Sequence, residues 1–138
     1  MRFLIIIKAT AESEAGVMPD PALINDMAVF HEELAKAGAL LDASGLKPSA
    51  EGWRVCYDGE RRKIVDGPFV EAKELIAGYT LIEARSREEA LEWSRRYPNP
   101  RGGDLPCEIE VRPLYALEDF PPSAGVEKFR AMATSDRG

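Results

Sequence analysis

Five consecutive apolar positions, Phe3, Leu4, Ile5, Ile6 and Ile7, stand near the start of the chain with no polar interruption. An unbroken, β-branched run of that length predicts a strand covered on both faces. The polar, glycine-containing stretch over 9–19 predicts a loop. Asp20 then offers a side-chain cap, and Pro21 suits a first helical position, where a missing N–H costs nothing. Leu23, Met27, Phe30, Leu34 and Ala37 recur at spacings of four and three, the apolar stripe of one helix. Gly38 is placed to end that helix as a left-handed cap.

Positions 40–46 predict a second strand, kinked or ended at Gly45, followed by a loop over 47–52. Trp53, Val55 and Tyr57 alternate with Arg54, Cys56 and Asp58, which predicts a half-exposed strand. Asp58-Gly59 signals a hairpin whose return runs over 61–65. A further strand is expected over 76–84, centred on Tyr79, Leu81 and Ile82. Ser86 and Glu89 have the spacing of a capping box for a helix over 87–97, with Ala90, Trp93, Ser94 and Tyr97 inward and Pro98 as its stop. After a loop over 99–106, Cys107, Ile109 and Val111 alternate with Glu108, Glu110 and Arg112 in a last strand closed by Pro113. Pro121-Pro122 breaks the tail, and 126–133 predicts a short helix.

The order is βαββαβ with an inserted β-hairpin, a ferredoxin-like α+β plan. It divides the chain into a domain over 1–117 and a C-terminal tail over 118–138. That plan makes the first and third main strands central, and these are the most continuously apolar segments, 3–7 and 79–82. Two helices cover only one face of such a sheet. The expected cover for the other is a second copy of the chain, a homodimer through the sheet face.

Composition narrows the class. The length of 138 residues fits one domain, and 45% hydrophobic residues suffice for a core. A net charge of -6 and a pI near 4.9 argue against direct nucleic acid binding, where Lys and Arg must replace counterions. Cys56 and Cys107 are far apart and are expected as free, buried thiols of a cytoplasmic protein. One histidine cannot supply a zinc site, and no phosphate loop, dinucleotide fingerprint or nucleophile elbow is present, so neither metal nor cofactor is expected. The apolar run over 3–7 is too short for a secretory h-region or a membrane span, so no membrane association is expected.

Polar chemistry is densest just before the central strand. In Asp66-Gly67-Pro68-Phe69, the carboxylate can fix a turn, Gly67 accepts unusual backbone angles, and Pro68 locks the next φ in either isomer. Phe69 is expected to plug the loop against the core. Glu71, Lys73 and Glu74 follow, either as base, cation and acid of a site or as a turn held by Glu-Lys ion pairs. His31 has no evident partner and is expected to be a partly exposed helix residue. Arg85, Arg87, Arg95, Arg96 and Arg101 interleave with Glu88, Glu89 and Glu92, which predicts a solvated face with Glu92 and Arg96 paired. Trp53, Tyr57, Phe69 and Tyr79 either line a pocket or pack as ordinary strand aromatics.

The run from Asp66 through Phe69 to Glu74, then Gly78-Tyr79, Glu88 through Trp93 and Glu108 through Pro113, resembles the YCII-related family in its DGPF subgroup over about residues 1–117. The resemblance implies a ferredoxin-like fold of the dimeric α+β barrel type. It also implies, for some relatives, a His-Asp pair and dehydrochlorinase activity, and for others a link to sigma-factor signalling. Here the position of that histidine is occupied by Met27 and that of the acid by Tyr97 or Arg95, so the pair is not carried over. The expected function is a small-molecule-binding or accessory protein with a ligand at Phe69, Glu71, Lys73, Glu74 and Tyr79. The alternative is a lyase or isomerase acting on a small acid, with Asp66 or Glu71 as base and Lys73 steadying developing charge.

Overall fold

A computed structural model describes residues 1–135, with side chains described through residue 133. Strand β1 (Arg2–Lys8) is followed by a one-turn helix α1 (Ala11–Glu14) and the long helix α2 (Pro21–Lys36). Next come β2 (Leu40–Gly45), the hairpin β3 (Trp53–Asp58) and β4 (Arg61–Asp66), β5 (Ile76–Glu83), α3 (Arg87–Arg95), β6 (Ile109–Pro113) and the tail helix α4 (Ala124–Ser135). Four strands form one sheet in the order β2-β5-β1-β6, every neighbouring pair antiparallel, and β3 pairs only with β4. The chain is a mixed α/β domain built on an antiparallel sheet, with the two most apolar strands in the middle.

The core is the layer between one sheet face and two helices. Phe3 and Ile5 of β1, Ile82 of β5, Phe30 and Leu34 of α2, and Ala90 and Trp93 of α3 are buried together. Side chains alternate along a strand, so Leu4 and Ile6 point to the opposite face. There they stand beside Leu81 and Tyr79, their register partners on β5, and all four are half-buried.

Helix ends follow the local chemistry. Asp20 caps α2 by accepting from the Leu23 N–H at 2.9 Å, and Gly38 closes it at φ 72°. An L side chain strains at that angle, which is why glycine stands there. Three expectations change. The stretch over 9–19 contains α1, held by a reciprocal capping box between Thr10 and Ser13. At α3 only half of the expected box forms: Ser86 Oγ accepts from the Glu89 N–H. The Glu89 carboxylate instead accepts from the Arg85 side chain at 3.0 Å, and this bond holds it below the usual carboxylate range. Arg96 leaves Glu92 to Arg95, reaching Glu33 at 3.7 Å while stacking on Trp93.

The hairpin is the largest departure. Every residue of β3 and β4 is exposed, Trp53 and Tyr57 included. The alternation was real, but the hairpin stands apart from the four-stranded sheet, so neither of its faces meets the core. Cys56 and Cys107 are free yet exposed rather than buried, because one lies on that hairpin and the other in the loop leading into β6. Among the described residues no helix is long and apolar enough to cross a membrane.

Candidate functional site

The Asp66–Phe69 segment is built as a clasp. A 3-10 turn, Ser49–Glu51, lies against it. The Ser49 hydroxyl accepts from the Phe69 N–H at 3.0 Å and donates to the Glu14 carboxylate. That carboxylate also accepts from the Ser49 N–H at 3.0 Å. The Gly67 N–H donates to the Gly52 carbonyl at 3.0 Å, and the Gly67-Pro68 bond is cis. A Cβ on Gly67 would lie 1.8 Å from the Ser49 carbonyl oxygen, so only glycine permits this approach. Phe69 is half-buried, but under the Arg54 guanidinium, 3.8 Å from its ring centroid, rather than in the core cluster. The loop therefore joins the hairpin to the 48–52 turn and to α1.

The other residues expected at this site do not converge. Asp66 ends β4 opposite Trp53 and is exposed. Glu71, Lys73 and Glu74 surround the exposed 3-10 turn Ala72–Glu74, and among the described residues none of them forms an ion pair. The anchoring Glu-Lys pairs are thus absent there; backbone bonds, such as Glu74 N–H to the Glu71 carbonyl at 3.0 Å, hold the turn instead. Tyr79 sits on the sheet face away from the helices and donates its hydroxyl to Asp42 at 2.8 Å.

A different set of polar groups meets inside the helix-covered layer. Thr80 of β5 is fully buried. Its hydroxyl lies 2.8 Å from Nε2 of His31 on α2 and 3.0 Å from the hydroxyl of Tyr97, just past α3. His31 Nδ1 is 2.7 Å from the Met27 carbonyl oxygen. Around this chain the rings of Phe30, His31 and Tyr97 make edge-on contacts, with centroids 5.0 to 5.9 Å apart. Burial pushes the Tyr97 hydroxyl above its ordinary pKa, against a weaker opposing pull from its bond to Thr80. His31 is therefore half-buried with both ring nitrogens engaged, rather than partnerless.

Tyr97 also lines a cleft of about 200 Å³, with Asn99, Cys107, Glu108 and Ile109 among its walls. The loop that forms one wall is tied down. The Asn99 amide donates to the Leu105 carbonyl at 2.8 Å, and its side-chain oxygen accepts from the Arg101 N–H at 2.9 Å. Arg101 donates to the Pro106 carbonyl at 3.1 Å and reaches Glu12 of α1 at 3.6 Å. A smaller groove of about 90 Å³ between α3 and β6 shares Ser94 with this cleft. Neither concavity includes Asp66, Phe69, Glu71, Lys73, Glu74 or Tyr79.

The inward position of Tyr97 is legible in the sequence; its partners carry weaker signals. His31 follows Met27 by four and precedes Leu34 by three, so it falls on the buried stripe of α2. Thr80 lies two residues before Ile82, on the same face of an otherwise apolar strand. Those two spacings were the available signals.

Comparison with known proteins agrees with the architecture. The family model of the YCII-related domain matches residues 1–115. A curated relative from Rhizobium meliloti (strain 1021), "Uncharacterized protein R00369", is 31% identical over 102 residues, which span 74% of this chain and 82% of that protein.

Proposed function

The chain belongs to the YCII-related family, and on that premise we propose that it is a small-molecule-binding protein that holds its ligand in the cleft beside Tyr97. The observation that carries this reading is that Tyr97, which lines the cleft, is tied through Thr80 to His31 in the layer behind it. Binding sites combine an enclosed surface with a few polar groups held in fixed positions. Here one hydrogen bond, to Thr80, holds the Tyr97 hydroxyl from within, and the tied 99–106 loop holds another part of the wall. The lyase or isomerase alternative has less support, because Asp66, Glu71 and Lys73 lie open to solvent. The link to sigma-factor signalling rests on resemblance alone.

Finer structural points belong to the same proposal. The order β2-β5-β1-β6 supports the ferredoxin-like class, and the clasp at Asp66–Phe69 supports the DGPF subgroup. Leu4, Ile6, Tyr79 and Leu81, gathered on the sheet face opposite the helices, support a homodimer of the dimeric α+β barrel type. Light scattering that gives a monomer mass at micromolar concentration would remove the dimer. A cytoplasmic setting is supported by two free thiols.

The ligand reading is tested by backbone amide spectra recorded during titration with a panel of small aromatic acids, amines and alcohols. Shifts centred on Tyr97, Asn99, Cys107 and Glu108, weakened by Tyr97→Phe, are the expected result. Shifts confined to residues 71–74 would return the ligand to the loop, and a panel without shifts would overturn binding.

A further inference from the structure

The hydrogen-bond chain beneath the cleft has only two consistent proton arrangements. A backbone carbonyl oxygen only accepts, so the 2.7 Å contact to the Met27 carbonyl requires a proton on His31 Nδ1. In the neutral ring Nε2 is then an acceptor. Thr80 donates to it, and Thr80 Oγ1 accepts from Tyr97, so the Tyr97 proton points inward. When the ring takes up a second proton, Nε2–H must donate to Thr80 Oγ1. The Thr80 proton then turns toward the Tyr97 oxygen, and the Tyr97 proton turns away from the chain. One proton is added at Nε2; the two hydroxyl protons only rotate.

We propose that Thr80 couples the protonation of His31 to the hydrogen-bond polarity of Tyr97, so that Tyr97 accepts from a ligand when the ring is neutral and donates to one when the ring is charged. Its use rests on the ligand reading above; its existence does not. Glu108 lines the same cleft as Tyr97, and a carboxylate only accepts, so an accepting Tyr97 favours an amine or alcohol there. The charged state presents a donor suited to a carboxylate.

The relay is isolated enough to work as a pair. Thr80 has no exposed surface, and none of the buried side-chain polar atoms among the described residues lacks a partner. From β5 the ring meets Thr80, and from the end of α3 it meets Tyr97; Phe30 beside it is uncharged. Several charged groups on the packed helices pair with one another. Glu33 faces Arg96 across the α2–α3 junction, and Glu32 pairs with Lys36 further along α2.

The test uses no ligand. The ring resonances of His31 are followed by NMR against pH in the whole protein. Tyr97→Phe removes a donor to Thr80 when the ring is neutral, but strands the buried Thr80 proton when the ring is charged; the second loss is larger, so the proton affinity of His31 should fall roughly two- to tenfold. In a Thr80→Val background the same Tyr97→Phe change should leave the His31 titration unmoved. Thr80→Ser, which keeps the hydroxyl and serves if the valine variant folds poorly, should restore the effect. Equal responses to Tyr97→Phe with and without the Thr80 hydroxyl, or no response in the parent protein, would overturn the coupling. Either result would leave the amide titration of the cleft to decide the ligand reading separately.

Discussion

The Asp66–Glu74 loop and the His31–Thr80–Tyr97 chain invert each other. The loop concentrates polar residues in sequence and scatters them in space: its charges face solvent, and its fixed parts are backbone amides bound to Ser49 and Gly52. The chain scatters three residues over α2, β5 and the end of α3 and gathers them within 3.0 Å contacts of a buried hydroxyl. Density of chemistry along a sequence therefore marks a turn here, while convergence through the fold marks the proposed site. The loop is held by where its backbone goes, and the chain by what its side chains share.

The sharpest break between the two comes from Gly67→Ala. A new Cβ would meet the Ser49 carbonyl oxygen at 1.8 Å and its carbon at 2.7 Å, and both are backbone atoms that move only with the turn. The expected loss is about 1–3 kcal/mol, the range for forced overpacking, measured by urea unfolding. A loss below about 1 kcal/mol would show that the clasp yields and that its bonds to Ser49 do not anchor the loop.

Smaller, and specific to the chain, is an alkaline effect. Burial raises the Tyr97 hydroxyl above its ordinary pKa of 10.0. Below that value both the folded and the unfolded chain hold the proton, and the contribution is fully present. Above it the unfolded chain releases the proton first, so stability falls as pH rises toward the folded value. Tyr97→Phe lacks this term, and its stability should decline less steeply than that of the parent protein above pH about 10. Parallel curves, read by denaturant unfolding at each pH, would place Tyr97 in a solvent-like setting and weaken the case for a buried relay.

How far the sequence carried these two regions differs for a physical reason. Local patterns predicted the four main strands, α2 with its Asp20 cap and Gly38 end, and the inward side of α3, because helix caps and strand alternation are short-range. The exposed hairpin was not legible. Alternation in β3 says which side chains share a face, and nothing in it says whether that face meets another element. Ser49 as the partner of Phe69, and Glu14 as the partner of Ser49, are long-range contacts across 20 and 35 positions that no local spacing announces. For the same reason Met27, rather than His31, stood out on α2, and it enters the chain only through its backbone carbonyl.

The smallest expected effect closes the comparison. Glu71→Ala and Lys73→Ala alter exposed side chains that, among the described residues, take part in no ion pair. Exposed substitutions of this kind shift stability by no more than about 0.5 kcal/mol, and the turn keeps its backbone bonds in either variant. If the ligand occupies the Tyr97 cleft, both variants should also bind it as the parent protein does. A loss of binding with stability intact would be informative in the opposite sense. It would mean that a second copy, or a ligand longer than the cleft, brings these charges to the site, and the division between a structural loop and a functional chain would fail at its outer edge.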